Sequence, residues 1–133
     1  NFTVATPEGY DTNPKAIEIA KRIAKKTKSK LTFVRDPHEA VKGAHVIYTD
    51  TWTSMGQEEE TAKRELVFPP YQVNAKLVKE ADKDVIVMHC LPAHRNHELT
   101  DEVADGKHSV IFPQAHNRLH AQKAILARLF DAA

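Results

Sequence analysis

Val85-Ile86-Val87-Met88 runs straight into His89-Cys90-Leu91-Pro92. A continuous apolar run of this length reads as a strand buried on both faces, the pattern of a central strand in a parallel sheet. Parallel strands need crossover connections, usually helical, so this one stretch commits the chain to an α/β architecture. Proline then interrupts the ladder, because it has no backbone N–H to donate. His89, Cys90, His94 and Arg95 therefore gather where a strand ends. That edge of an open α/β sheet is the one that binds ligands.

The remaining segments fit the same plan. Phe2-Thr3-Val4-Ala5 is a short β-prone run, stopped by Thr6-Pro7-Glu8-Gly9. The chain opens inside this strand, which suggests a further segment upstream. Asn13-Pro14 starts a helix, with Ala16, Ile17, Ala20, Ile23 and Ala24 at helical spacing. Leu31 to Val34 is a strand, and Asp36-Pro37-His38-Glu39 caps a short helix that ends at Gly43. His45 to Thr49 is a third strand, with Asp50 at its carboxyl end. A polar loop, Thr51 to Gln57, feeds a helix from about Glu58 to Leu66. Pro69-Pro70 breaks the chain, and Asn74 caps a helix through Ala81. After the central strand, Thr100-Asp101-Glu102 opens a short helix. Val110-Ile111-Phe112 reads as a last strand. A terminal helix follows from near Gln114 to Phe130, with Ala115, Leu119, Leu126 and Phe130 on one face and Arg118 in its first turn. Strand and helix alternate, so right-handed crossovers are expected.

Composition removes several classes. At 133 residues, 41% hydrophobic and 28% charged, the chain is long enough for one domain with a real core. A formal charge of +1, with basic residues spread along the chain, offers no nucleic-acid stripe. No apolar run approaches the roughly 18 residues of a membrane span, and Asn1-Phe2-Thr3-Val4 does not read as a signal peptide. One cysteine excludes an internal disulfide and suits a reducing, cytoplasmic setting. The four glycines are scattered, so no phosphate loop supports NAD or ATP, and no cofactor is expected.

Three groups are expected on one sheet edge: Asp50, His89-Cys90 and Arg118. Asp50 supplies a fixed negative charge for an ammonium group. Arg118 supplies a planar fork of donors for a phosphate or carboxylate. Cys90 is a nucleophile, proton acceptor or ligand contact if nearby cations lower its thiol pKa. Backbone N–H groups around Leu91 are candidates for binding a developing oxyanion. Each has a plainer reading: packing for Cys90, loop capping for Asp50, a surface position for Arg118. His89, His94 and His97, or His116 and His120 at i,i+4 spacing, are conceivable zinc ligands. Neither set has the cysteine or carboxylate partners at motif spacing, so no metal is expected. The charges together suggest an amine-bearing zwitterion and an anionic co-substrate.

Asp50-Thr51-Trp52-Thr53-Ser54-Met55-Gly56-Gln57-Glu58 and His89-Cys90-Leu91-Pro92 resemble ornithine carbamoyltransferase. Ala5-Thr6-Pro7-Glu8-Gly9-Tyr10 and Asn117-Arg118 match the same family in order. The resemblance covers essentially the whole chain but only the second domain of that enzyme. It implies that residues 1–133 are a partial L-ornithine-binding domain, a Rossmann-like three-layer αβα fold with a mainly parallel sheet. The first strand-helix unit of the domain is missing, so a gap is expected between the strand at Phe2 and the strand at His45. The implied reaction gives L-citrulline and phosphate from carbamoyl phosphate and L-ornithine, in arginine biosynthesis or catabolism, the urea cycle included. Carried over by position, Asp50, Ser54 and Met55 contact ornithine, while Cys90, Leu91 and Arg118 contact carbamoyl phosphate. His89, Pro92 and Gly56 support them, and the Leu91-Pro92 bond is expected to be cis. Many family members have two glutamates where this chain has Gln114 and His116. The family's Ser-Thr-Arg-Thr phosphate motif lies in the first domain and is absent here, so the chain alone is expected not to turn over. The full enzyme is typically a trimer or a higher multiple. Putrescine as acceptor, or a non-catalytic amino-acid-binding role, are the alternatives.

Overall fold

The computed structural model describes residues 1–54 and 56–131; Met55, residues 132–133 and the side chain of Glu58 fall outside the description. Four strands form as expected: β1 (Phe2–Ala5), β2 (Leu31–Val34), β3 (Val46–Thr49) and β4 (Ile86–His89). Among the described residues six α-helices connect or follow them: α1 (Pro14–Thr27), α2 (Pro37–Val41), α3 (Thr61–Val67), α4 (Ala75–Val78), α5 (Asp101–Ala104) and α6 (Ile111–Asp131). None is long and apolar enough to cross a membrane among the described residues.

The caps are where local chemistry put them. Asn13, Asp36 and Asn74 each accept a backbone N–H at a helix start, from Lys15, His38 and Leu77. Each bond satisfies a donor that the first turn leaves free.

All the strand pairing is parallel, but it falls into two sheets of two strands. β1 pairs with β2 and β3 with β4, and no ladder joins β1 to β3. A cavity of about 140 Å³ lies between those two strands, with Thr3 and Ala5 on one side and Val46 and Tyr48 on the other. This is the gap the resemblance implied. The core sits on the β3–β4 side, where Ile47, Val85, Val87, Leu99, Val103 and Ile111 are buried.

Three expectations need correction. The run from Val85 is covered on one face only: Val85 and Val87 are buried, but Ile86 is 37% exposed. Side chains alternate across a strand, and Ile86 shares its face with Val46 and Tyr48, which are also exposed. The expected strand at Val110 to Phe112 is reduced to a single parallel bridge between Ser109 and Val87. Helix α6 starts at Ile111 instead, because Pro113 suits a first helical turn and donates nothing to a ladder. Arg118 thus lies two turns into α6 rather than in its first turn. The apolar stripe of α6 also finds no cover among the described residues, with Leu119, Leu126 and Phe130 all more than half exposed. Periodicity marks an apolar face; it does not supply the surface that face packs on.

Candidate active site

Parallel pairing sets Thr49 beside His89, so the next residues, Asp50 and Cys90, leave adjacent strand ends together. The Cys90 thiol donates to Asp50 Oδ1 at 3.2 Å. The same oxygen accepts the Thr51 N–H at 2.8 Å. Asp50 Oδ2 accepts nothing among the described residues. Among the described residues the exposed carboxylate therefore keeps one oxygen unengaged beside the thiol.

Partial burial pushes the Cys90 thiol pKa up, and the hydrogen bond to Asp50 pushes it further the same way. This corrects the reading of Cys90 as a cation-activated nucleophile: its close charged neighbour is an anion, which disfavours thiolate. A raised pKa keeps the proton on sulfur to higher pH and lowers the thiolate fraction at mildly alkaline pH. Alkylation by iodoacetamide near pH ~8 is expected to be slower at Cys90 than at free cysteine, and Asp50→Asn is expected to speed it several-fold. A Cys90 that reacts faster than free cysteine would contradict the assignment.

Behind the thiol lies a fully buried pair that the sequence did not reveal. His89 and Glu98 are both 0% exposed. His89 Nε2 lies 3.1 Å from Glu98 Oε1, and that oxygen also accepts the His94 N–H at 2.7 Å. His89 Nδ1 accepts the Leu91 N–H at 2.9 Å. An acceptor at Nδ1 places the neutral ring's proton on Nε2, pointing at Glu98. One carboxylate thus ties both ends of the Cys90–His94 turn. Leu91, with φ 56°, and the cis Leu91-Pro92 bond lie inside it. The Leu91 N–H is spent on His89, so it is not a free oxyanion donor as expected.

A second clamp, also missed, joins the corner to α6. Gln114 Oε1 accepts the His89 N–H at 3.0 Å, and Gln114 Nε2 donates to the Tyr48 hydroxyl at 3.3 Å. Arg118 stands one turn beyond Gln114 on the same helix, exposed and with no hydrogen bond or ion pair among the described residues. Asp50, His89 and Cys90 are brought together; among the described residues no contact joins Arg118 to any of them, and it shares only the helix that Gln114 ties to the corner. Asp50, His89 and Cys90 each offer a ligand atom within 4.8 Å of the others. Both ring nitrogens of His89 are already engaged, so the trio lacks a free third donor for a metal.

The loop after Asp50 borders a cavity of about 510 Å³ that Asp50, Ser54, Pro92, His94 and Glu98 help to line. Arg64 holds the loop by donating to the Trp52 carbonyl at 2.6 Å while paired with Glu60. Gly56, at φ +84°, makes the turn that a side chain would strain. Met55 lies outside the described residues. A second cavity of about 490 Å³, near Val78, Val103 and Lys107, has none of these groups. Volume alone therefore does not choose between the two.

The scaffold is a parallel α/β domain of the open-sheet class, with a carboxylate and a thiol at adjacent carboxyl strand ends, the edge at which such sheets bind ligands. Comparison with known proteins narrows this. The model for "Aspartate/ornithine carbamoyltransferase, Asp/Orn binding domain" matches residues 1–129. The chain belongs to the aspartate/ornithine carbamoyltransferase family. It is 62% identical over 128 residues to the ornithine carbamoyltransferase of Archaeoglobus fulgidus, covering 96% of this chain and 40% of that protein. The structure of the Pyrococcus furiosus enzyme superposes with a TM-score of 0.87 at 54% identity, over 94% of this chain and 40% of that one. The anabolic enzyme of Campylobacter jejuni gives a TM-score of 0.91 at 37% identity, over 99% of this chain and 44% of the other. The chain thus spans about 40% of the length of the first two of these relatives.

Proposed function

We propose that residues 1–133 are the partial L-ornithine-binding domain of an ornithine carbamoyltransferase. The whole enzyme moves the carbamoyl group of carbamoyl phosphate to the side-chain amine of L-ornithine, releasing L-citrulline and phosphate. The observation that carries this reading is the free Asp50 Oδ2 beside the Cys90 thiol, in a chain of this family.

The residue roles follow from that corner. Asp50 Oδ2 takes the α-ammonium of ornithine, with Ser54 and Met55 closing over the amino acid and Gly56 turning the loop. The Cys90 thiol points its hydrogen at Asp50, so a sulfur lone pair remains to accept a hydrogen bond from the attacking side-chain amine. The ammonium loses one proton to solvent before attack, since only the neutral amine has a lone pair to use, and the second proton, shed as the C–N bond forms, passes to an oxygen of the departing phosphate. The nitrogen lone pair forms the new C–N bond at the carbamoyl carbon, and the C–O bond to phosphate breaks. Arg118 offsets charge on the departing phosphate, with Cys90 and Leu91 against the carbamoyl end. His89, held by Glu98, and Pro92 fix the turn that presents them. The phosphate-binding first domain is required, and we assign the complete enzyme to a homotrimer or higher multiple. The product belongs to arginine metabolism. A single cysteine fits a cytoplasmic setting.

The test is citrulline formation by the chain combined with the carbamoyl-phosphate-binding domain of a relative. Product is expected from the pair and not from the chain alone, with ornithine preferred to putrescine. Turnover by the chain alone, or preference for putrescine, would overturn this reading.

A further inference from the structure

A pair of histidines stands on the exposed surface of α6. His116 and His120 are one turn apart, and their Nε2 atoms lie 3.0 Å from each other. The rings meet edge to face with centroids 4.7 Å apart. Both residues are exposed, and neither is used by the proposed transfer. They lie on the side of α6 roughly opposite Gln114 and Arg118, by the helix repeat of about 100° per residue.

We propose that His116 and His120 form a two-nitrogen chelate for a divalent transition metal of the nickel or copper type. Imidazole binds such ions at roughly 2.0–2.1 Å, and two nitrogens 3.0 Å apart then subtend about 95° at the metal. That is close to the right angle of tetragonal or octahedral coordination and narrower than a tetrahedral site prefers. The helix backbone fixes both side-chain origins, so little ordering is needed on binding. At present one ring's Nε2–H faces the other's lone pair. A shift of the donor's proton to Nδ1 frees both Nε2 lone pairs without releasing a proton. Water completes the shell.

Nickel is the probe, because copper(II) also oxidises thiols. The full chain is titrated with nickel by calorimetry, and paramagnetic broadening of amide signals locates the ion. One equivalent is expected, with broadening centred on residues 116–120 and unchanged in Cys90→Ser. Either His116→Gln or His120→Gln is expected to weaken binding on the order of a hundredfold, because the second bond of a chelate is intramolecular. Glutamine keeps good helix propensity, so the far-UV circular dichroism of both variants is expected to match the parent. Nickel affinity that survives His120→Gln, or broadening centred on Asp50 and Cys90, would overturn the proposal. This site stands apart from the carbamoyl-transfer reading and does not fall with it.

Discussion

Glu98→Ala is expected to remove about 2–5 kcal/mol of folding stability, because it leaves two buried donors unsatisfied at a cost of about 1–3 kcal/mol each. His89 and Glu98 are both fully buried, and Glu98 Oε1 also holds the His94 N–H. Alanine strands two donors and opens a hole beside the core. Against a total of about 5–15 kcal/mol for a typical domain, that is a large share. Urea unfolding of the chain measures it. Glu98→Gln keeps an acceptor oxygen in place and is expected to lose only about 1–2 kcal/mol, since the hydrogen bonds survive without the charge. The Cys90–His94 turn depends on this carboxylate at both ends. Glu98→Ala is therefore also expected to raise the alkylation rate of Cys90. An alanine variant no less stable than the glutamine one would show that the pair does not hold the corner.

Asp50→Ala is expected to weaken ornithine binding by about 2–3 kcal/mol, roughly 30- to 150-fold in Kd, the worth of a hydrogen bond between charged groups. The free Oδ2 oxygen is the group at stake. Its partner Oδ1 already serves Thr51 and Cys90. The measurement is calorimetry on the chain paired with a relative's carbamoyl-phosphate-binding domain, and on the chain by itself. Asp50 is exposed, so its loss is expected to leave folding nearly unchanged. A lost heat of binding then reports recognition rather than unfolding. Asp50→Asn separates charge from shape: it keeps a polar group there and removes the anion that attracts the ammonium. Equal ornithine affinity in wild type and Asp50→Ala would remove Asp50 from the site.

Caps and strand positions are written in local sequence. Asn13, Asp36 and Asn74 cap their helices because a side-chain oxygen two or three residues away competes directly for a first-turn N–H. The strands fall where β-prone runs lie between turn residues. Asp50 and Cys90 were placed on one edge because each ends an apolar run, and parallel pairing brings such ends together. Glu98 escaped notice because it sits between His97 and Leu99 in a polar stretch with the look of a surface loop. The one available clue was the rule that a buried histidine needs a partner, and burial of His89 is not written locally. The start of α6 at Ile111 is not legible locally, because Val110-Ile111-Phe112 is strand-like by residue type while Pro113 favours a helix start.

The sequence by itself determined the types of most elements, with Val110–Phe112 the exception, together with three helix caps, the parallel α/β plan and the two strand-end groups. These depend on contacts within a few residues and on the chirality of the chain. The tertiary structure alone decided which nitrogen of His89 carries the proton, that Leu91's N–H is occupied, and that Cys90 stays a thiol. It also decided that β1 and β3 do not pair. Those outcomes turn on groups far apart in sequence that meet only after packing. There, burial and the nearest charge outweigh any local preference.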